Sequence, residues 1–462
     1  MGFFKTLINN LPEVSGPSQR RLSFKEKLKW TLIVLALFFI LGLVPLFGLS
    51  QNTLQRFEFL SIILGARFGS IISLGIGPIV TASIVLQLLQ GSGLLKLDLQ
   101  TTEGKKTFQG IQKLLSILFI IFEAAIYVFM GGLAPSADLP SNVFFQLELL
   151  MIFQLILGGI LIMFMDEIVS KWGFGSGISL FIAANVSEQI FIRALSPFPS
   201  PNNPNIATGA IPALVQSLAA GDPKTAGLMI AAVIATILVF VLAVYAQSMK
   251  VEIPLSFGLV RGYGIRWPLH FIYTSNIPVI LVAALIANIQ LWARLLQNYG
   301  KPLLGTFVGN TPASGLVAWL SPPNIVSQTI IGSLRWIDIS HALTYMLFMM
   351  AGSVLFSWFW VQTAGMDARS QARQIMSSGL QIPGFRKDER IMERLLDRYI
   401  KPLTVMGALS IGFLAAIADV SGALSNGTGI LLTVMIIYRL YEEIAQQHMM
   451  DMHPALRRFM EG

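Results

Sequence analysis

The chain has 462 residues, of which 54% are hydrophobic and only 12% charged, with a formal net charge of +8 and no cysteine. Soluble domains carry about a quarter of their residues as charges, so this composition excludes an ordinary globular domain and places the chain in a bilayer. The lack of cysteine excludes disulfides and thiol chemistry.

The first 29 residues form a polar arm in which Phe3, Phe4, Leu7, Ile8 and Leu11 suggest an amphipathic helix lying in the membrane interface. No convincing cleavage site follows, so the apolar window 30–47 reads as a retained span. Nine further windows have the length that crosses the hydrocarbon layer: 71–89, 114–130, 147–165, 178–195, 228–247, 271–292, 342–362, 403–420 and 430–444. The stretch 57–89 is apolar almost throughout, but it is too long for one span and is broken by Gly65, Gly69, Gly75, Gly77 and Pro78. Interrupted backbone at membrane depth is tolerated only where protein buries it or a polar cavity hydrates it. Residues 57–66 therefore read as a re-entrant half-helix that turns back before the span at 71–89, and a cavity is expected beside it.

Spans two and five open with small residues followed by branched aliphatics, Gly75 to Val80 and Gly175 to Ile182. The pairs Ile76/Val80 and Ile178/Ile182 are four apart and share a helix face. Spacing alone is equally met by core or lipid-facing packing. Glu123 is the one carboxylate deep in a span, where charge is costly; a satisfied structural carboxylate and a functional one are both open on the residues alone. The segment 195–227, with Pro197, Pro199, Pro201 and Pro204 among Asn202, Asn203 and Asn205, has the composition of a linker. Loop 366–401 holds eight basic residues interleaved with Asp367, Asp388, Glu389, Glu393 and Asp397, the pattern of a structured mixed-charge hairpin. With a cytoplasmic N-terminus, 25 of the 32 Lys and Arg residues fall on the cytoplasmic side, a strong positive-inside bias, and ten spans return the C-terminus there.

No Walker A loop, HExxH or GxSxG motif is present, and His270, His341, His448 and His453 stand near span ends or in the tail without a metal-ligand pattern. Transport or conduction is favoured over chemistry.

Six segments together resemble the SecY family, the large subunits of the protein-conducting translocation channel, and its archaeal and eukaryotic members most. They are Leu74-Gly-Ile-Gly-Pro-Ile-Val-Thr-Ala-Ser83, Gly175-Ser-Gly-Ile-Ser-Leu-Phe-Ile-Ala-Ala184, Ser275-Asn-Ile-Pro-Val-Ile-Leu281, Ala287-Asn-Ile-Gln290, Gln381-Ile-Pro-Gly-Phe-Arg386 and Gly427-Thr-Gly-Ile-Leu-Leu-Thr433. The resemblance implies an all-α integral membrane protein. Its ten transmembrane helices form two pseudo-symmetric inverted halves of five, with a re-entrant plug. The implied regions are a cytoplasmic arm 1–29, an N-terminal half 30–196 with its plug at 57–68, an external hinge 197–227, a C-terminal half 228–447 and a cytoplasmic tail 448–462.

It further implies a pore ring of Ile76, Val80, Ile178, Ile182, Ile280 and Leu432, whose apolar side chains close round a passing chain and oppose ions by dewetting. The plug residues are Phe57, Leu60, Ile62, Ile63, Leu64, Gly65, Arg67 and Phe68, with Gly65 and Gly69 as hinges, and the lateral gate carries Thr81, Glu123 and Asn288. Arg261, Arg266, Arg386 and Lys387 are the implied contacts to a ribosome or a motor. Implied partners are a SecE/gamma-type clamp and a beta subunit, the ribosome with its RNA, signal peptides and nascent polypeptides, and membrane lipid; no cofactor is implied. The expected location is the cell membrane, or the endoplasmic reticulum in a eukaryote. A secondary small-molecule transporter also suits inverted repeats and broken helices, but it needs convergent polar groups at its midplane where the matched residues are aliphatic. An intramembrane enzyme lacks paired catalytic groups.

Overall fold

The computed structural model describes residues 10–18, 22–50, 69–91, 94–95, 101–129, 133–136, 139–199, 206–257, 264–274, 277–298, 302–308, 311–377, 380–381, 388–425 and 427–452. The chain divides into two compact units, one of residues 1–212 with 436–462 and one of residues 213–435.

In the first unit, α1 (Phe24–Leu43) starts at Ser23, whose hydroxyl accepts from the Glu26 amide at 3.4 Å. It stops at Val44, the residue before Pro45, where the proline ring disfavours helical backbone. Then come α2 (Gly77–Gly91), α3 (Thr102–Phe129), α4 (Ser141–Trp172) and α5 (Gly177–Leu195). Residues 71–76 are turns, so α2 begins six residues later than the apolar window. Gly75, at φ +57°, takes a backbone conformation that side chains resist, and it ends the turn. The core is built on α4, whose buried Met151, Leu155, Ile162 and Val169 recur at helical spacing along one stripe. Phe38 of α1 stacks on Phe181 of α5 with centroids 4.6 Å apart.

The arm residues 10–18 have no long regular element and lie against Lys113 of α3 and the last turns of α4. The Val14 amide donates to Glu167 at 2.9 Å, Lys171 Nζ donates to Glu13 Oε1 at 2.5 Å and to the Val14 carbonyl, and Trp172 Nε1 donates to the Ser15 carbonyl at 3.0 Å. Lys113 bridges Glu167 and the Pro12 carbonyl. The Lys171 ammonium, first through its hydrogen bond, holds the Glu13 carboxyl below its ordinary range. Of the expected interfacial helix, Phe3, Phe4, Leu7 and Ile8 lie outside the described residues, and Leu11 stands in a bend, not in a helix.

The helix α6 (Ala210–Ala219) follows, and then the second unit continues with α7 (Pro223–Ser248), whose first turn is capped by Asp222. Strands β1 (Lys250–Phe257) and β2 (Gly264–His270) precede α8 (Ile277–Asn298). A hairpin of β3 (Thr306–Val308) and β4 (Thr311–Ser314), two short helices α9 (Leu316–Trp319) and α10 (Ile325–Ile331), α11 (Trp336–Thr363), α12 (Ala368–Ser377), β5 (Leu380–Gln381) and α13 (Glu389–Ser421) follow. The last helix, α14 (Gly427–Met452), opens in this unit and closes in the first.

Each of the ten apolar windows carries a helix, and among the described residues six of those helices are long and apolar enough by themselves to cross a membrane. The five strands among the described residues escape a search for long apolar windows, although β1 carries the alternation of a strand. In β1, Val251, Ile253, Leu255 and Phe257 alternate with Lys250, Glu252, Pro254 and Ser256, the period of a half-buried strand. The sheet order is β2-β1-β5, with Pro254 opposite Arg266 and Ser256 opposite Gln381. One face of this sheet, with α12 and the first turns of α13, closes a small core of Ile253, Leu255, Leu269, Ala372, Ile375 and Leu396.

Candidate functional site

The site is assembled from helix entrances. In the first unit the carbonyl of Ile76 accepts from the Val80 amide at 3.0 Å, so Ile76 occupies the capping position of α2 and remains one turn from Val80, although it stands outside the helix. The segment before it is tied to the end of α1, with Leu46 N donating to Gly69 O at 2.8 Å and Ile71 N to Val44 O at 3.0 Å. These bonds join residues 44–46 to residues 69–71. The plug residues Phe57 to Phe68 lie outside the described residues; Gly69, at φ +84°, closes the segment.

The entrance of α5 is built differently. Ser176, the residue at its cap, makes no capping bond with its own side chain. Asp166 of α4 supplies it, accepting from the Ile178 amide at 2.9 Å and from the Ser176 hydroxyl at 3.4 Å. A carboxylate there also faces the positive end of the helix dipole. Gly177 permits the approach, since a Cβ would stand 2.6 Å from Asp166 Cα. Two turns earlier in α4, a Cβ at Gly158 would collide with the carbonyl oxygen of Ile71.

The second unit repeats this construction. Asp419 of α13 accepts from the Gly427 amide at 2.6 Å, at the start of α14, and from the Tyr345 hydroxyl at 2.7 Å. A Cβ on Gly427 would collide with the Ala415 carbonyl and the Ala418 side chain. A Cβ on Gly407 would stand 2.6 Å from the carbonyl oxygen of Phe271. The repeat fixes a register. Val80 lies nine residues beyond the approached carbonyl at Ile71, and Ile280 nine beyond that at Phe271; Ile182 lies five beyond Gly177, and Leu432 five beyond Gly427. Four of the six candidate ring residues thus hold equivalent places in two independent pieces of chain.

All six are half-buried, whereas neighbours on the same turns are not: Ile79 is 4% exposed, Phe181 1%, Val279 3% and Leu431 2%. Ile76 and Ile178 both pack at the rim of the apolar cluster formed by Val34, Phe38, Ile79, Ile162 and Phe181. A branched aliphatic with one side on a core and the other unfilled is suited to lining a passage, because it is held in place and offers no hydrogen bond.

Among the gate candidates, the Thr81 hydroxyl donates to its own helix, to Gly77 O at 2.9 Å. Glu123 reaches the same glycine, its Oε2 standing 3.6 Å from where a Gly77 Cβ would be. The structure therefore brings Thr81 and Glu123 together on the α2–α3 face of the first unit. Asn288 lies on α8 of the second unit, and its side chain is outside the described ones.

Of the basic candidates, Arg266 projects from β2 with its side chain 79% exposed and 3.3 Å from Glu252. Arg261, Arg386 and Lys387 lie outside the described residues. Sequence reasoning misses Arg390, Arg394 and Arg398, which α13 places on one exposed face at successive turns. It also misses Asp166 and Asp419. The signal is present, since aspartate within or beside an apolar span is costly unless it serves a purpose.

The comparisons with known proteins agree along the whole chain. A family model described as SecY matches residues 70–441, and one described as the plug domain of Sec61p matches residues 37–69. The protein translocase subunit SecY of Methanothermobacter thermautotrophicus is 47% identical over 461 residues, covering 99% of this chain and 98% of that protein. That of Methanocaldococcus jannaschii is 44% identical, covering 98% of each. A solved structure described as a protein conducting channel superposes with a TM-score of 0.79 at 44% identity, covering 97% of this chain and 98% of its own. Sec61 in the canine ribosome-channel complex from the endoplasmic reticulum gives 0.77 at 43% identity, with the same coverage.

Proposed function

The chain belongs to the SecY family, and from that premise we propose how its residues carry out the task of a protein-conducting channel. It is the central, pore-forming subunit, which moves unfolded polypeptides across the membrane and releases hydrophobic segments sideways into lipid. The two halves, 30–196 and 228–447, flank the passage and the segment 197–227 joins them. Ile76, Val80, Ile178, Ile182, Ile280 and Leu432 form its narrowest ring. The observation that carries this reading is the repeated entrance, which sets half-buried aliphatics at matching positions in both units. Residues 57–68 seal the passage from one side when no chain occupies it. The subunit is a passive conduit with no catalytic step of its own; a partner supplies the driving force.

Both termini are cytoplasmic, which puts the β1-β2-β5 sheet, α12 and the first turns of α13 on the cytoplasmic side, in the cell membrane. The family's Sec61 structure is a complex with the ribosome, and Arg266 with the Arg390–Arg394–Arg398 face of α13 is the basic surface available to ribosomal RNA. Reversing the last three to glutamate should weaken ribosome binding and flatten its salt dependence, by roughly 2–3 in the slope of log K against log salt, from about 0.7–0.9 per phosphate contact. Sedimentation of channel-containing vesicles with ribosomes over a salt series measures both. An unchanged slope would remove this face from the contact.

Thr81, Glu123 and Asn288 form the gate through which signal sequences enter. Hydrogen bonds between membrane helices average only about 0.6 kcal/mol and reach about 1–2 in model peptides. Asn288→Leu should therefore shift the closed-to-open balance roughly fivefold, taking about 1 kcal/mol against 1.4 per tenfold. Crosslinking of α2 and α8 to signals of graded hydrophobicity reads this shift as a change in threshold. A control substitution on the lipid face of α8 giving the same curve would make the cluster structural only.

A further inference from the structure

The segment expected as a plain linker contains α6, and its outward surface is apolar. Ile211, Val215 and Leu218, spaced by four and three, fall on one side of the helix. They are 44%, 64% and 62% exposed, while Ala213 and Ser217 on the opposite side are buried. The helix carries no charged residue.

Its position is constrained. The amide of Asp222 donates to the Ser217 carbonyl at 2.9 Å, and the same Asp222 caps α7 by accepting from the Lys224 and Thr225 amides. Pro223 then opens α7, an apolar span. Three residues lie between Ala219 and Pro223, so even fully extended chain, four steps long, keeps α6 within about 14 Å of the start of the span. Tied through Asp222 to the start of an apolar span, the last turn of α6 stays within reach of the zone where the hydrocarbon layer meets the headgroups. From there α7 runs on with Ile230, Ile234 and Ile237 exposed, the surface such a span offers to lipid.

We propose that α6 is an interfacial helix whose Ile211, Val215 and Leu218 insert into the adjacent membrane leaflet. It anchors the connection between the two halves to lipid rather than leaving it free in water. Binding at the boundary between headgroups and acyl chains strengthens with the apolar area buried, and the exposed side chains of Ile211, Val215 and Leu218 supply that area. Gln216, about 100° around the helix from Val215, faces away from the inserted side. This inference rests on the position of α7 in the membrane and not on the identity of the cargo, so it stands or falls apart from the channel reading.

The chain has no cysteine of its own, which makes the test direct. Single cysteines replace Val215, Leu218 or Gln216 and carry an environment-sensitive fluorophore. The channel complex with its small subunits is reconstituted in phosphatidylcholine and phosphatidylglycerol vesicles. Nitroxide-labelled phospholipid should quench positions 215 and 218 several-fold more than 216, and aqueous iodide should show the reverse order. Iodide quenching of 215 and 218 equal to that of 216 would put the stripe in water. Protection of 215 and 218 from both quenchers would mean that a protein partner covers it. Either result overturns the proposal.

Discussion

Serine at Ile76, Ile178 and Ile280 together should raise the resting ion conductance of the reconstituted channel. A narrow passage lined by branched aliphatics excludes ions because water does not wet it, and three hydroxyls supply the hydrogen bonds that let water in. The effect on folding should be smaller than for true core residues. These side chains are half-buried, so each loses only part of the roughly 1.5–3 kcal/mol that a fully buried aliphatic contributes. Planar-bilayer conductance, with the complex shown intact by gel filtration, is the measurement. Serine at the lipid-exposed Ile234, Ile237 and Leu238 of α7 is the control that should leave conductance unchanged. Equal conductance in the ring variant and the unsubstituted channel would remove these residues from the seal.

The second large effect is expected at the aspartates that cap the pore-lining helices. Asp419→Ala leaves the Gly427 amide and the Tyr345 hydroxyl without their acceptor. A buried donor left unpaired costs about 1–3 kcal/mol, so the loss should be roughly 2–6 kcal/mol for the two. Tyr345→Phe removes only one donor along with its bond and should cost about 1 kcal/mol. Asp166→Ala should resemble Asp419→Ala, because it uncaps α5 where Asp419 uncaps α14. Denaturation of the detergent-solubilised complex orders the three variants. If Asp419→Ala is no worse than Tyr345→Phe, the carboxylate does not hold the entrance of α14.

The spans are legible because little besides a membrane helix calls for twenty apolar residues in a row, and all ten windows carry helices. Their starts are less so. The window at 71–89 and the one at 271–292 both begin six residues before their helices, because Ile71 and Phe271 are apolar residues in turns whose carbonyls face glycines on a neighbouring helix. Hydropathy reports burial, not dihedral angles. The sheet beside α12 is passed over by a search for long apolar windows, because in β1 Lys250, Glu252, Pro254 and Ser256 alternate with the apolar residues and keep its mean hydropathy low. The ring positions come from family resemblance, as the spacing of Ile178 and Ile182 fits packing equally well. What sequence could not supply was the role of Asp166 and Asp419, whose partners lie across a helix-to-helix contact. The amphipathic stripe of α6 is hidden within a segment whose prolines and asparagines read as linker.

The central claim is that a moving polypeptide passes between the six aliphatic side chains. A photoreactive amino acid placed singly at Ile76, Val80, Ile178, Ile182, Ile280 or Leu432, in channels holding a chain arrested midway, tests it most directly. The account predicts that all six crosslink to the same short stretch of the arrested chain, while probes at the exposed Phe153 of α4 and Ile234 of α7 crosslink to lipid alone. Crosslinks to the arrested chain from Phe153 and Ile234, with none from the six, would contradict it.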